Sequence, residues 1–181
     1  MKHRKLTFDD HKPGGGKLPV SILADNISLS ENVGALFRLC DALGVEHLYL
    51  TGKAASSHDS KTSKVSRSTD KNVVHSIEQN ALHTLKQLKK KGYTIISLEL
   101  TSHSQNIREF DFSPVDKICL ILGNESKGVS EALLDVSDHC IHIPMLGMNS
   151  SMNVISAASI AVFEISRDLP LIKSVSTNKH P

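Results

Sequence analysis

The 181-residue chain has no apolar run approaching the roughly 20 residues that a membrane-spanning helix needs, so no spanning segment and no membrane partner are expected. Its basic N-terminus, MKHRKLTFDDHKPGGGKLP, lacks the apolar stretch of a secretory signal. Cysteine is scarce and unpatterned: Cys40, Cys119 and Cys140 are odd in number, widely spaced, and set in apolar runs with no CxxC. That usage predicts reduced core residues in a cytoplasmic protein. The ten histidines are scattered without HExxH spacing, and no metal site is expected. Neither sign of charge dominates, since 21 Lys and Arg face 19 Asp and Glu for a net charge of +2. Such a balance is compatible with nucleic acid but does not demand it. What remains, 39% hydrophobic and 22% charged residues, is the composition of one ordinary globular domain able to bury a core.

Strand and helix patterns alternate along the chain. PVSILA (Pro19 to Ala24) reads as a short buried strand. Ser30 then offers an N-cap to a helix with apolar residues at Val33, Leu36, Phe37, Cys40 and Leu43, stopped by Gly44. HLYLTG is a second strand, IEQNALHTLKQLKKKG a second helix, and YTIISLEL a third strand. Residues 101–116 read as a polar loop. KICLIL is almost wholly apolar, as a central strand covered on both faces would be. A short helix near Ser130 to Val136 precedes CIHIPM, and a closing helix runs from about Asn153 to Arg167. The alternation predicts a mainly parallel α/β sheet with helices on both faces. The expected division is a basic flexible extension over 1–18, one domain over 19–168, and a polar tail over 169–181. Between the second strand and second helix, residues 52–75 carry Lys53, Lys61, Lys64, Arg67 and Lys71 against two aspartates. A solvated loop and a phosphate-contacting loop both fit that run.

In such folds ligands gather at the carboxyl ends of the strands, and three strand ends here carry unusual polar chemistry. After the first, Asn32 lies in the first turn of the helix, and Gly34 sits four residues before Arg38. Helical side chains lean toward the N-terminus, so Arg38 is expected to extend past Gly34 toward Asn32; a surface arginine with a capping asparagine is the alternative. The second, ICLILGNESKGVSEALLDV, places Gly123 and Gly128 in a GxxxxG spacing. A nucleotide-triphosphate loop needs Lys and Ser/Thr after the second glycine, and Val129 stands there instead. A tight loop with Glu125 as its one anionic side chain, or a plain turn, fits better. In the third, IPMLGMNSSMNVISAASIAVFEISR, a turn at Pro144 to Gly147 leads into Asn149, Ser150, Ser151 and Asn153 at the mouth of an apolar helix. Capping needs one or two such residues; the cluster fits capping alone, a ligand site, or both.

Together NVGALFR, LGNESKG and IPMLGMNSSMNV stand in the order and setting of the three motifs of the SpoU/TrmH branch of SPOUT RNA ribose 2′-O-methyltransferases, which the chain resembles from about Ser21 to Arg167. The family's third motif typically reads SLNVS, and here it is Ser151-Met152-Asn153-Val154-Ile155: Met for Leu conserves volume, while Ile155 lacks a hydroxyl common there. The resemblance implies a Rossmann-like sheet with a C-terminal deep trefoil knot, a homodimer, and S-adenosylmethionine bound by Leu100, Gly123, Ile143, Met145 and Met152. It assigns catalysis to Arg38, Asn32, Glu125, Ser151 and Asn153. Arg38 is expected to grip the phosphate beside the target ribose, since a guanidinium stays protonated and is a poor general base. Asn32 would orient Arg38 or the ribose, and Glu125, Ser151 and Asn153 would fix the loops and the nucleophile. Lys64, Arg67 and Lys71 are candidate RNA contacts, together with the N-terminal extension. A 2′-hydroxyl acceptor means RNA. The minimal size, the expected lack of a separate N-terminal RNA-binding domain, and the likeness of the third motif to transfer-RNA members favour tRNA over rRNA. A knotted RNA-binding module without catalysis and a phosphate-loop hydrolase are the rival readings.

Overall fold

Ile118–Leu122 is buried at all five positions because it is paired on both edges and covered on both faces. The computed structural model describes residues 3–7, 10, 14–56 and 71–173. Within them the strands are β1 (Gly16–Asp25), β2 (Val45–Thr51), β3 (His75–Glu78), β4 (Thr94–Leu98), β5 (Gln105–Asn106), β6 (Ile118–Leu122), β7 (His139–His142) and β8 (Ile172–Lys173). The helices are α1 (Ser30–Ala42), α2 (Lys53–Ser56), α3 (Ala81–Lys90), α4 (Glu131–Leu134) and α5 (Val154–Ile165). Seven strands lie parallel in the order β3-β2-β1-β6-β4-β7-β5, and β8 pairs antiparallel with β1.

The two sides of the sheet have separate cores. On one, α1 contributes Val33, Leu36, Phe37 and Cys40, and α5 contributes Ala158, Ala161, Val162 and Ile165, against Ile22, Ile96 and Leu120. On the other, Leu85 and Leu88 of α3 and Leu133 of α4 cover Leu23, Ile95, Cys119 and Ile121. Each fully buried Leu, Ile or Phe contributes about 1.5–3 kcal/mol relative to exposure, so this two-sided burial holds β6 and β1 at the centre. The parallel sheet with helices on both faces agrees with the sequence pattern. Among the described residues no helix is long and apolar enough to cross a membrane.

Four local features differ from the sequence pattern. The sheet begins at Gly16, where Gly16 and Lys17 pair with Lys173 and Ile172, so both flanks of the expected 19–168 domain reach into it. Ile77 and Glu78 belong to β3 and not to the second helix, because the Asn80 side chain accepts from the His83 amide and starts α3 at Ala81. The 101–116 loop contains β5, which extends the sheet beyond β7. Finally, Leu29 and not Ser30 occupies the N-cap of α1, with no side-chain cap of its own.

Candidate active site

The chain visits β4 and β5, returns to the centre for β6, and then places β7 between β4 and β5. The segments following β4, β6 and β7 therefore end together at one edge. With the start of α1 they enclose a cleft of about 450 Å3, lined by Leu98 to Leu100, Gly123 to Gly128, Ile143, Met145 and Ser150 to Asn153.

The loop after β6 is closed by Asn124 and Gly128, whose amides each donate to the other's carbonyl at 3.1 and 2.9 Å. The Asn124 side chain accepts from the amides of Ser126 and Lys127 and donates to the Asn26 carbonyl at 2.8 Å. A Cβ on Gly123 would lie 2.2 Å from the Gly128 carbonyl carbon. Only glycine permits that crossing of backbones.

Glu125 points from this loop to the start of α1. Its carboxylate accepts from the Ser28 amide at 3.0 Å, the Ser28 hydroxyl at 3.0 Å, the Leu29 amide at 3.1 Å and the Asn32 side chain at 2.9 Å. It supplies the anionic oxygen that α1 lacks at its own N-cap. Burial opposes the charge on Glu125, but the hydrogen bonds from Ser28, Asn32 and Leu29 outweigh it and hold the carboxyl down at about 2.

A carboxylate can only accept, so the Asn32 nitrogen must face Glu125 and the Asn32 oxygen must face the other way. That oxygen accepts from the Asn153 side-chain nitrogen at 3.1 Å. The Asn153 oxygen is thereby turned to α5, where it accepts from the amides of Ile155 and Ser156 at 2.8 and 3.4 Å. Asn153 is thus the cap of the apolar helix. Ser150 and Ser151 line the cleft, exposed and free of that duty.

A protein-family model, the SpoU rRNA Methylase family, matches residues 19–163, a span that contains every residue of this hydrogen-bonded chain. The chain belongs to the SpoU rRNA methylase family. A similar family member, the tRNA (guanosine(18)-2′-O)-methyltransferase of Aquifex aeolicus, is 34% identical over 81% of this chain and 68% of its own length. The crystal structure of an A. aeolicus TrmH/SpoU tRNA modifying enzyme superposes with a TM-score of 0.76 at 30% identity, covering 85% of this chain and 77% of that one. That of the SpoU methyltransferase AviRb from Streptomyces viridochromogenes in complex with AdoMet has a TM-score of 0.74 at 24% identity, covering 89% and 64%, and shows the shared fold.

Within this SpoU fold, Leu100, Gly123, Ile143, Met145 and Met152 all line the cleft, as do Asn32, Glu125, Ser151 and Asn153. Arg38 does not. It is exposed, on the stripe of α1 that also carries Glu31 and Ala35, whereas Asn32 and Gly34 face the protein. At 100° per residue, positions 32 and 38 point about 120° apart, so the expected approach of Arg38 to Asn32 within one chain does not occur. Among the described residues Asn32 is instead held by Glu125 and Asn153. Lys64 and Arg67 lie outside the described residues, and Lys71 is exposed ahead of β3, away from the cleft lining.

Glu99, Ser28, Asn124 and His142 join the site beyond the residues expected from the sequence. Glu99 and His142 line the cleft, and Ser104 holds the His142 ring at 3.0 Å. Glu99 had a visible signal, a carboxylate at the last step of an apolar strand. Ser28 had none, because its partner lies 97 positions away.

Proposed function

We propose that this chain is an S-adenosylmethionine-dependent RNA methyltransferase acting on a ribose 2′-hydroxyl, with tRNA as its substrate. The observation that carries this reading is the Glu125–Asn32–Asn153 chain, which draws the three family motifs around one cleft. The residues fit the cofactor. The volume of about 450 Å3 is in the range of small-molecule sites, Gly123 leaves backbone open to close approach, and Leu100, Ile143, Met145 and Met152 offer apolar surface. When bound, the cofactor supplies an electrophilic methyl carbon on a sulfonium. The protein's part is positioning: the Asn32–Asn153 pair and the Ser151 hydroxyl hold the ribose at the mouth of α5. Glu125, held near 2 by the hydrogen bonds from Ser28, Asn32 and Leu29, is a poor proton acceptor at neutral pH and serves to set the loops.

The same proposal includes a homodimer. α1 and α5 pack side by side, and their outer surface exposes Leu29, Ile160 and Phe163 at 53%, 43% and 62%. A second copy on this surface buries those side chains and carries Arg38 to the partner's cleft, where it clamps the phosphate next to the target ribose, and that phosphate takes the hydroxyl proton. The return of the 143–153 segment to the ends of β4 and β6 supports the threading of a trefoil knot. The unpaired thiols of Cys40, Cys119 and Cys140 suit a cytoplasmic setting. The likeness to the A. aeolicus tRNA enzyme supports tRNA over rRNA.

The test is transfer of labelled methyl from S-adenosylmethionine to unmodified tRNA and, separately, rRNA, followed by nucleoside digestion, with Arg38→Ala alongside. A 2′-O-methylnucleoside from tRNA that depends on Arg38 is the expected result. Label in rRNA alone would overturn the substrate, and absence of donor binding would overturn the reading of the cleft.

A further inference from the structure

Glu99 belongs to none of the three motifs, yet it connects two walls of the cleft. It follows β4 directly, and its backbone is fixed to β7: its amide donates to the Ile141 carbonyl at 2.9 Å and its carbonyl accepts from Cys140 Sγ at 3.4 Å. On the side chain, Oε1 accepts from the Leu100 amide at 2.9 Å. Oε2 accepts from the Val129 amide, at the end of the loop after β6, also at 2.9 Å. Gly128 makes room for this contact: its φ is +67°, and a Cβ there would lie 2.2 Å from Glu99 Oε2. The carboxylate is therefore held in place before any ligand arrives.

The titratable side chains lining the cleft are Glu99, Glu125, Lys127 and His142. Glu125 is enclosed by donors from Ser28, Leu29 and Asn32 at the entry to α1, and Lys127 is exposed, so water screens its charge. A carboxylate accepts about four hydrogen bonds, and each Glu99 oxygen receives one. Charge and acceptor capacity remain for a ligand.

We infer that Glu99 makes this cleft select by charge between the methyl donor and its demethylated product. The inference rests on the methyltransferase reading above. The two ligands share a shape and differ at one atom: the donor carries a sulfonium cation, the product a neutral thioether. A fixed carboxylate attracts the first more than the second, and the attraction strengthens where protein replaces water. The cleft then favours the charged donor and releases the spent one. Glu99 also positions the loop, but a latch alone would affect both ligands equally, and this separates the two roles.

Calorimetric titration of S-adenosylmethionine and S-adenosylhomocysteine into the full chain, unmodified and as Glu99→Gln, tests it. Glutamine keeps one acceptor oxygen and removes the charge. The expected result is that the preference for donor over product falls by about fivefold or more; the melting temperature falls too, because the glutamine nitrogen cannot accept from the Leu100 or Val129 amide. An unchanged preference, whether both affinities fall together or neither moves, would overturn the inference. In the unmodified protein, S-adenosylmethionine and its amine-bearing cationic isostere sinefungin should both bind more tightly than the thioether; equal affinities would overturn the inference even if Glu99→Gln did not fold. Failure of the unmodified protein to bind any of the three would instead remove the methyltransferase reading itself.

Discussion

The side-chain nitrogen of Asn32 lies 2.9 Å from Glu125 Oε1, across 93 positions of sequence. Since Asn32 is only 7% exposed, neither end of its amide can exchange its partner for water without cost. The carboxylate dictates the orientation of Asn32, Asn32 that of Asn153, and Asn153 the start of α5. One ionised group thereby sets the geometry of a site built from three separate loops.

Replacing Asn32 by alanine should leave the Glu125 and Asn153 side chains each short of a partner. A loss of about 1–3 kcal/mol is expected, against about 1 kcal/mol for removing the Asn153 cap. Because the two touch, the double variant should lose less than the sum, with a coupling of about 0.5–3 kcal/mol. Urea unfolding of the four proteins measures it, and strict additivity would show that the Asn32–Asn153 contact is not formed in solution.

Glu125 predicts a pH dependence with a definite sign. Its folded value of about 2 lies below the ordinary 4.5, so its stabilisation is complete above pH 4.5 and disappears as the pH falls toward 2. The melting temperature of the unmodified protein should drop across that window more steeply than that of Glu125→Gln. Parallel curves would mean that the carboxylate is not held by Ser28, Leu29 and Asn32.

Arg38→Ala should fold normally, because exposed substitutions usually change stability by less than about 0.5 kcal/mol, yet it should lose methyl transfer. If Arg38 acts in the partner's cleft, mixing Arg38→Ala with Asn153→Ala restores activity, since half the sites of each mixed dimer then have both residues. Random exchange gives roughly a quarter of normal turnover per site. No recovery on mixing, with subunit exchange confirmed by mass, would place Arg38 in its own chain's chemistry.

The thiols should differ in reactivity. Burial pushes Cys40 up to about 12 and raises Cys119 further, while half-buried Cys140 is raised but remains partly accessible. Thiolate is the reactive form, so mild alkylation at pH 8 should label Cys140 first and leave the other two until the protein unfolds. Peptide mapping after timed labelling reads the order.

Much of this architecture was legible along the chain, because it depends on local periodicity. The spacing of Val33, Leu36, Phe37 and Cys40 gives α1, the unbroken ICLIL run gives the doubly covered β6, and the asparagine before an apolar run gives the cap of α5. The three motifs named the family and most of the cleft lining, leaving out Leu98, Glu99 and His142 among others. β3 and β5 were hidden because their strand conformation is imposed by β2 and β7, and their few residues carry too little pattern of their own.

Residue spacing also determined that Glu125 would sit on a tight glycine-bounded loop, and that Asn32 and Arg38 would share one helix. It could not determine which side of that helix faced the cleft, nor that Glu125 would cap it. Those outcomes depend on the strand order β1-β6-β4-β7, which brings the loop after β6 against the start of α1. The partners of a carboxylate are whichever amides the fold sets within about 3 Å. Helix phase is a matter of about 100° per residue, and only the packing of α1 on the sheet decides that Asn32 turns inward and Arg38 toward solvent.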